Sequence, residues 1–398
     1  MEATPLTLTQ RRTAIGERFG LPYFDGVLLG AAFGLIGFSI FTLATATPHD
    51  VSGQPFYYVL RQSLYALVGI VLMLAVAKID YSRFREIRVG IYSLMIGSIV
   101  LVLMFGAAAR GSRRWIELPY FRFQPSELAK LLLVVALAGF VIERTRRGTP
   151  ASQTLRILAL GLAPAALVFL QPDLGTGIVL VVITLAVLFL AGVPWPHFAA
   201  IGGVAALAVT FVLAIAPATG LPSPLRGYQQ DRLTAFLHPS NDPGAASYQV
   251  NQAVIAIGSG EKTGRGDRST QTEGEFLPER HTDFIFAVIG ERFGFMGAAF
   301  VLSLYALLIW RMLRILTLSK NLYGTLIAGG IAAMLMFQIL VNVGMTLGVM
   351  PVTGITLPLM SYGGSSVLAT FLAIGLLQSI HVQARLDSRN RAPTPLLR

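Results

Sequence analysis

Apolar and polar residues fall along this chain in long blocks. Apolar runs of about 20 residues, the length a helix needs to cross a hydrocarbon core, recur with shorter polar stretches between them. They predict ten membrane helices near residues 26–46, 58–77, 89–108, 128–142, 157–170, 175–193, 198–216, 284–310, 323–345 and 364–380. The runs at 128–142 and 157–170 are short, but their flanks can extend them. Gly and Pro inside the runs are tolerable where neighbouring helices satisfy the backbone. The expected fold class is an all-α integral membrane protein of about ten transmembrane helices, with a large extracytoplasmic loop, 217–283, between the seventh and eighth.

Composition agrees. The 398 residues are 54% hydrophobic and only 13% charged, against about a quarter charged in soluble domains. The chain divides into an N-terminal segment 1–25, a membrane domain 26–380 that includes loop 217–283, and a tail 381–398. Arg11, Arg12 and Arg18 precede a first span that is long and lacks a small-residue cleavage site, which predicts a retained anchor. With an even number of spans both termini share one side. Lys78, Arg83, Arg85, Arg88, Arg144, Arg146, Arg147, Arg156, Arg311, Arg314, Lys320, Arg385, Arg389 and Arg391 fall on that side, and the positive-inside rule makes it the cytoplasm. The cell membrane is the expected location.

Two outer loops break the rule. Residues 109–127 carry Arg110, Arg113, Arg114 and Arg122, and loop 217–283 carries Arg226, Arg232, Lys262, Arg265, Arg268 and Arg280. Basic residues kept on the wrong side suggest an anionic ligand there; the alternative is that long loops translocate whatever their charge. Nucleic acid is a poor candidate for the net charge of +11, most of whose remainder is topology signal. The absence of cysteine excludes disulfides, thiol catalysis and thiolate metal sites, and no Walker A or His-Glu-x-x-His pattern appears. Neither nucleotide, haem nor flavin is expected. Within the loop, "YQVNQAVIAIGSG" (248–260) predicts a short amphipathic or re-entrant helix, and "GSGEKTGRGDRSTQTEG" (258–274) a flexible lid. The tail from about 382 is expected to be disordered.

Four strings fall at outer helix ends and can therefore meet in space: "GSRRWIELPYFRFQPSELAK" (111–130), "QPDLGTG" (171–177), "LPERHTDF" (277–284) and the uncharged "GVMPVTGITLPLMSYGGSS" (348–366). Asp283 stands at the start of the eighth span, Asp173 ahead of the sixth and Glu127 just inside the fourth, after Pro125. Acids there cap free N–H groups and complement the macrodipole, so three acids fit either three caps or one site. Lys130, one turn beyond Glu127 within an apolar stretch, favours a site, since an ionisable side chain in a span faces the interior, a cavity or a partner. Arg61, inside the second span, invites the same reading. Trp115 suits an interfacial belt as well as a site. The five histidines are scattered, and His281 suits orienting or capping better than ligating a metal. A divalent cation held by carboxylates and a phosphate fits Mg²⁺ chemistry.

Together these strings resemble the SEDS family of membrane proteins for shape, elongation, division and sporulation, over about residues 25–380. The resemblance rests on "RRWI" with "FQPSELAK", on "QPDLGT", on "FLHP" followed by "YQVNQAVIAIGSG", on "FLPERHTDFIFAVIGE" and on "PVTGITLPLMSYGGSS". The string "TQTEGEFLPERHTDFIF" resembles the rod-elongation branch, the RodA type, more than the division branch, the FtsW type, whose counterpart usually has Ala at the position of Arg280. The resemblance implies a peptidoglycan glycosyltransferase that polymerises lipid II by β-1,4 bonds on the outer leaflet and releases undecaprenyl pyrophosphate; a lipid II flippase is the rival reading.

Carried over by position, the resemblance makes Asp283 the general base. Glu127, Lys130 and Asp173 become its cavity neighbours, holding a divalent cation (Mg or Mn, at Glu127 and Asp173) or ordering the pyrophosphate. Arg61, Arg113, Arg114, Trp115, Gln124, Ser126, His281 and Ser361 then line the substrate groove, and Glu275 belongs to an activation loop. The implied partners are lipid II, the growing glycan strand, membrane lipids and a class B penicillin-binding protein. Close helix packing at "GAAFG" (30–34) is compatible with docking of that protein's single membrane helix. The chain departs from the family's usual pattern at Glu261 (Gly), Arg292 (an acid) and Thr356 (Pro).

Overall fold

Apolar runs become helices here because a backbone in lipid must satisfy its own hydrogen bonds. The structure, a computed structural model, describes residues 23–48, 50, 53–109, 112–118, 121–144, 149–215, 219, 245–274, 276, 277 and 279–390. The ten expected spans are α1 (Gly26–Ala46), α2 (Tyr57–Ala77), α3 (Arg88–Phe105), α4 (Pro125–Arg144), α5 (Pro150–Leu170), α6 (Leu174–Leu190), α7 (Trp195–Thr210), α9 (Ile285–Leu318), α10 (Leu322–Thr346) and α11 (Gly364–Asn390). Eight are long and apolar enough to cross a membrane, and α6 and α7 are shorter apolar helices of 17 and 16 residues. The chain is a multi-pass membrane protein. As expected, the fourth and fifth spans extend into their flanks.

Helices α4, α10 and α11 sit at the centre, whereas α3 is mostly exposed at the edge. Small residues set the close approaches, as they do where lipid tails leave no hydrophobic drive between helices. A Cβ added at Gly69 of α2 would stand 2.5 Å from the Phe371 ring of α11, and one at Gly375 of α11 2.5 Å from the Met73 carbonyl of α2. Gly34 of the "GAAFG" string is likewise taken up inside the chain, against Leu304 of α9, while Gly30 faces open space.

Four expectations need correction. The span expected to reach residue 108 ends at Phe105, and 107–123 forms a small antiparallel sheet of β1 (Ala107–Ala109), β2 (Ser112–Leu118) and β3 (Phe121–Phe123) in that order. Within it, "IEL" and "FRF" alternate apolar and charged residues as strands do, a signal too short to stand out among the charges around it. The tail is helical to Asn390, because α11 continues well past the last apolar residues. The eighth span runs to Leu318 but breaks at Gly294 (φ +63°, ψ −159°).

That break corrects the fourth expectation, the flexible lid. The expected loop helix, α8 (Ala245–Ser259), packs on α9, and the residues after it fill the break. Phe295 and Met296 of α9 donate their N–H groups to the carbonyls of Glu261 and Lys262 at 2.9 and 3.1 Å, and Arg265 N–H donates to Glu291 O at 2.8 Å. The buried Glu291 carboxylate accepts from Gln271 N, Thr272 N and Thr272 Oγ1 at 2.6–2.9 Å. The lid is fastened to α9 because each loses backbone partners that the other supplies. Arg292 pairs with Asp267 at 2.7 Å, and Glu261 adopts φ +47°, where a glycine is unstrained.

Candidate active site

Glu127 lies in the first turn of α4, where a negative charge complements the helix macrodipole. Lys130 follows one turn later and its ammonium meets Glu127 Oε2 at 2.8 Å. Both are almost fully buried, at 7% and 4% exposure. An ion pair so enclosed holds only because each charge has a partner, so the expected interior orientation of Lys130 is what the structure shows.

Asp173 is both cap and site member. Its Oδ1 accepts from Thr176 N at 3.2 Å as the N-cap of α6. Its Oδ2 accepts from Gln124 Nε2 at 3.1 Å and Ser126 Oγ at 3.5 Å, and Gln124 Nε2 also reaches Ser126 Oγ at 3.0 Å. Arg114, projected from β2, lies 3.8 Å from Asp173 and donates to the carbonyls of Gln171 and Pro172. The structure thus gathers Arg114, Gln124, Ser126, Glu127, Lys130 and Asp173 from the sheet and two helix starts. Trp115 is half-buried on β2. The side chain of Arg113 and the whole of Glu275 lie outside the described residues.

Asp283 does not cap α9. The cap position is Phe284, with no side-chain hydrogen bond, and Asp283 lies in the turn before it, half-buried. That turn is tightly made. Glu279 has φ +57°, and Thr282 donates back to Glu279 through its N–H at 3.1 Å and its hydroxyl at 3.0 Å. Arg280, counted above among the cations awaiting an anionic ligand, is buried and pairs with Asp50 and the Thr272 carbonyl. It ties the turn to the α1–α2 connection and to the lid. Asp50 was missed by sequence reasoning, since nothing local marks a lone acid in a loop as the partner of a residue 230 positions away.

His281 packs its ring on Tyr58 of α2 at 4.6 Å and lies 4.0 Å from Asp50. Arg61, half-buried, lies over the Tyr57 ring at 4.5 Å. Ser361 is 1% exposed; its hydroxyl donates to Thr282 O at 2.6 Å and accepts from Leu357 N at 2.8 Å, so it holds backbone in place instead of lining a groove.

The uncharged string 348–366 proves to be the hub. Tyr362 N–H donates to His281 O at 2.8 Å, and Ser365 Oγ accepts from Gln124 N at 2.9 Å. A Cβ at Gly175, in the first turn of α6, would stand 2.7 Å from Thr353 O. One segment therefore touches the turn of Asp283, the start of α4 and the start of α6. Gln62 of α2 braces it, donating to Ser361 O at 3.2 Å. Thr356, where the family usually has Pro, bonds through its hydroxyl to Ser366 at 3.1 Å.

The divalent cation is expected at Glu127 and Asp173, with substrate oxygens completing its shell. Among the described residues no three His, Asp or Glu side chains converge as a metal site. Glu127 and Asp173 are each already faced by a cation, Lys130 and Arg114. Any ligand there shares these charges: a cation would compete with Lys130 and Arg114 for the carboxylates, and an anion would draw the two cations from them.

The FtsW/RodA/SpoVE family signature, described as cell cycle protein, matches residues 24–386. The chain is 36% identical over 371 residues to the peptidoglycan glycosyltransferase MrdB of Escherichia coli K12, covering 92% of this chain and 97% of the relative. It is 34% identical over 379 residues to the probable peptidoglycan glycosyltransferase FtsW of Idiomarina loihiensis, covering 94% and 90%. A solved structure described as showing structural coordination of polymerization and crosslinking by a peptidoglycan synthase complex matches with a TM-score of 0.76 and 32% identity, covering 93% of this chain and 99% of that one.

Proposed function

Since the chain belongs to the FtsW/RodA/SpoVE family, the SEDS family, we propose that it polymerises lipid II into β-1,4-linked glycan at the outer leaflet, releasing undecaprenyl pyrophosphate. It is an enzyme, a peptidoglycan glycosyltransferase. One observation carries the finer reading: the turn holding Asp283 and the starts of α4 and α6, with their buried Lys130 and their Arg114, are fastened to the one segment 348–366.

In this mechanism the 4-hydroxyl of the acceptor sugar attacks C1 of the donor while Asp283 takes its proton. The C1–O bond to pyrophosphate breaks, and the configuration at C1 inverts. A positioned carboxylate contributes about 10²- to 10⁴-fold. Pyrophosphate needs little acid help in leaving, so one base suffices. Lys130 and Arg114 stabilise the charge that develops on it, each drawn from a carboxylate that has held it ready. A divalent ion, were one to take part, would be held by Glu127 or Asp173 together with substrate oxygens and would help neutralise the charge on the pyrophosphate. Arg61, Trp115 and His281 border the groove for the sugars.

Buried charge supports the enzyme over the flippase. Among the described residues, buried charged side chains cluster at the two ends of the bundle, with Asp25 at one and Glu127, Lys130, Asp173, Arg280, Glu291 and Arg292 toward the other. A translocation path for a pyrophosphate needs charged groups through the whole depth. We assign the chain to the elongation branch because Arg280, which sets that branch's string apart, is built into the turn beside Asp283 through Asp50; relatives named for both branches match at similar identity. The protein sits in the bacterial plasma membrane with both termini in the cytoplasm, and works with a class B penicillin-binding protein docked on the bundle and loop 217–283.

The test is polymerisation of labelled lipid II by wild type and Asp283→Asn, each with the partner, read as glycan ladders. Ladders from wild type alone, with lipid II binding retained in the variant, are expected. Ladders from both remove Asp283 from catalysis.

A further inference from the structure

We propose that Asn342 of α10 is a positioning residue for Asp283. The proposal rests on the reading of Asp283 as the base. Asn342 is fully buried, with 0% exposure. Its Nδ2 donates to the main-chain carbonyl of Asp283 at 2.9 Å and to that of Ile355 at 2.8 Å, while its Oδ1 has no hydrogen-bond partner among the described residues. Two carbonyl oxygens on one side demand two donors, so chemistry fixes which way the amide points. A buried acceptor left unpartnered is costly, and this amide accepts that cost at the one place where it reaches the turn of Asp283.

The geometry gains its force from its neighbours. Three successive carbonyls are held by three donors from outside the turn: His281 O by Tyr362 N–H at 2.8 Å, Thr282 O by Ser361 Oγ at 2.6 Å, and Asp283 O by Asn342 Nδ2 at 2.9 Å. Consecutive fixed carbonyls fix consecutive peptide planes, and therefore the direction of the Cα–Cβ bond at Asp283. Helix bonding does not yet do this, because α9 begins at Ile285. Asn342 is the member of the three that belongs to a spanning helix, and through Ile355 it also anchors the hub segment. It touches no reacting atom; it acts by setting where the Asp283 carboxylate stands.

A misplacement of about 1 Å at a reacting group costs on the order of 10²-fold in rate. For Asn342→Ala with the partner present, kcat is expected to fall by about that factor, with KM for lipid II unchanged. The isosteric Asn342→Asp keeps the volume, loses both N–H donors, and serves if the alanine variant folds poorly; it is expected to show the same loss in kcat. The second readout is coupling. Asp283→Glu shifts the carboxylate by one methylene, and adding Asn342→Ala to it is expected to cost little more than the worse single change, because both act on one variable. A packing role predicts losses that multiply.

Wild-type kcat in both Asn342 variants, or multiplying losses, overturns the positioning role while leaving an inactive Asp283→Asn, and with it the base, intact. Full turnover by Asp283→Asn overturns both.

Discussion

Lys130 shows how one residue's environment serves two purposes. Its pair with Glu127 is buried, and breaking such a pair from one side leaves an uncompensated charge worth about 3–5 kcal/mol. Lys130→Met is therefore expected to lower the melting temperature in detergent markedly, and Lys130→Met with Glu127→Leu to recover most of it. Glycan synthesis is expected to be lost in both, which separates the pair's structural from its catalytic part. An ammonium inside an apolar run was legible in the sequence as a costly and therefore purposeful charge. That Asp283 would not cap its helix was not legible, because the position of a helix start depends on backbone bonds that Asn342, Ser361 and Tyr362 bring from 59 to 81 residues away.

At the scale of elements, the junction between α9 and the lid is the feature periodicity missed. An apolar run reads as one helix whether or not it breaks, and "ERFGFMG" offers only two glycines as a hint. The break exists because Gly294 takes a conformation almost confined to glycine, and the lid then supplies the carbonyls that the helix lacks. A Cβ at Gly294 would stand 2.4 Å from Gly264 N and 2.7 Å from the Lys262 carbonyl carbon. Gly294→Ala is expected to unseat residues 260–268, seen as faster amide exchange at Arg265, Phe295 and Met296 with the rest of α9 unchanged. Unaltered exchange at these three would mean that other contacts hold the lid. Among the departures from the family pattern, Glu261 and Arg292 both fall at this junction, and Arg292 has found its counter-charge in Asp267.

For the whole molecule, the end opposite the site is closed by long-range contacts around Asp25. Its backbone exchanges hydrogen bonds with Gln378 of α11 at 2.8 and 3.1 Å, and its carboxylate meets the Arg311 guanidinium of α9. Burial alone raises this carboxyl's pKa, but the hydrogen bonds from Arg311 and Leu28 N–H, with the nearby charges, outweigh it and hold the pKa below the ordinary value. A depressed acid stabilises the fold above its unfolded-state value, near pH 4, and loses that contribution as pH falls through the folded-state value. Asp25→Asn is thus expected to melt earlier than wild type at pH 7, with the gap closing below about pH 4.

Ten apolar helices, their order and the family all follow from the sequence by itself, because lipid forces each apolar run into a self-satisfied helix and the motifs are local strings. Tertiary structure alone decided which charges are committed inside the protein and which face one another across the site. Arg280 finds Asp50, the lid finds the gap in α9, and an uncharged segment gathers the three helix starts, since such partnerships are fixed by helix packing between residues far apart in the chain.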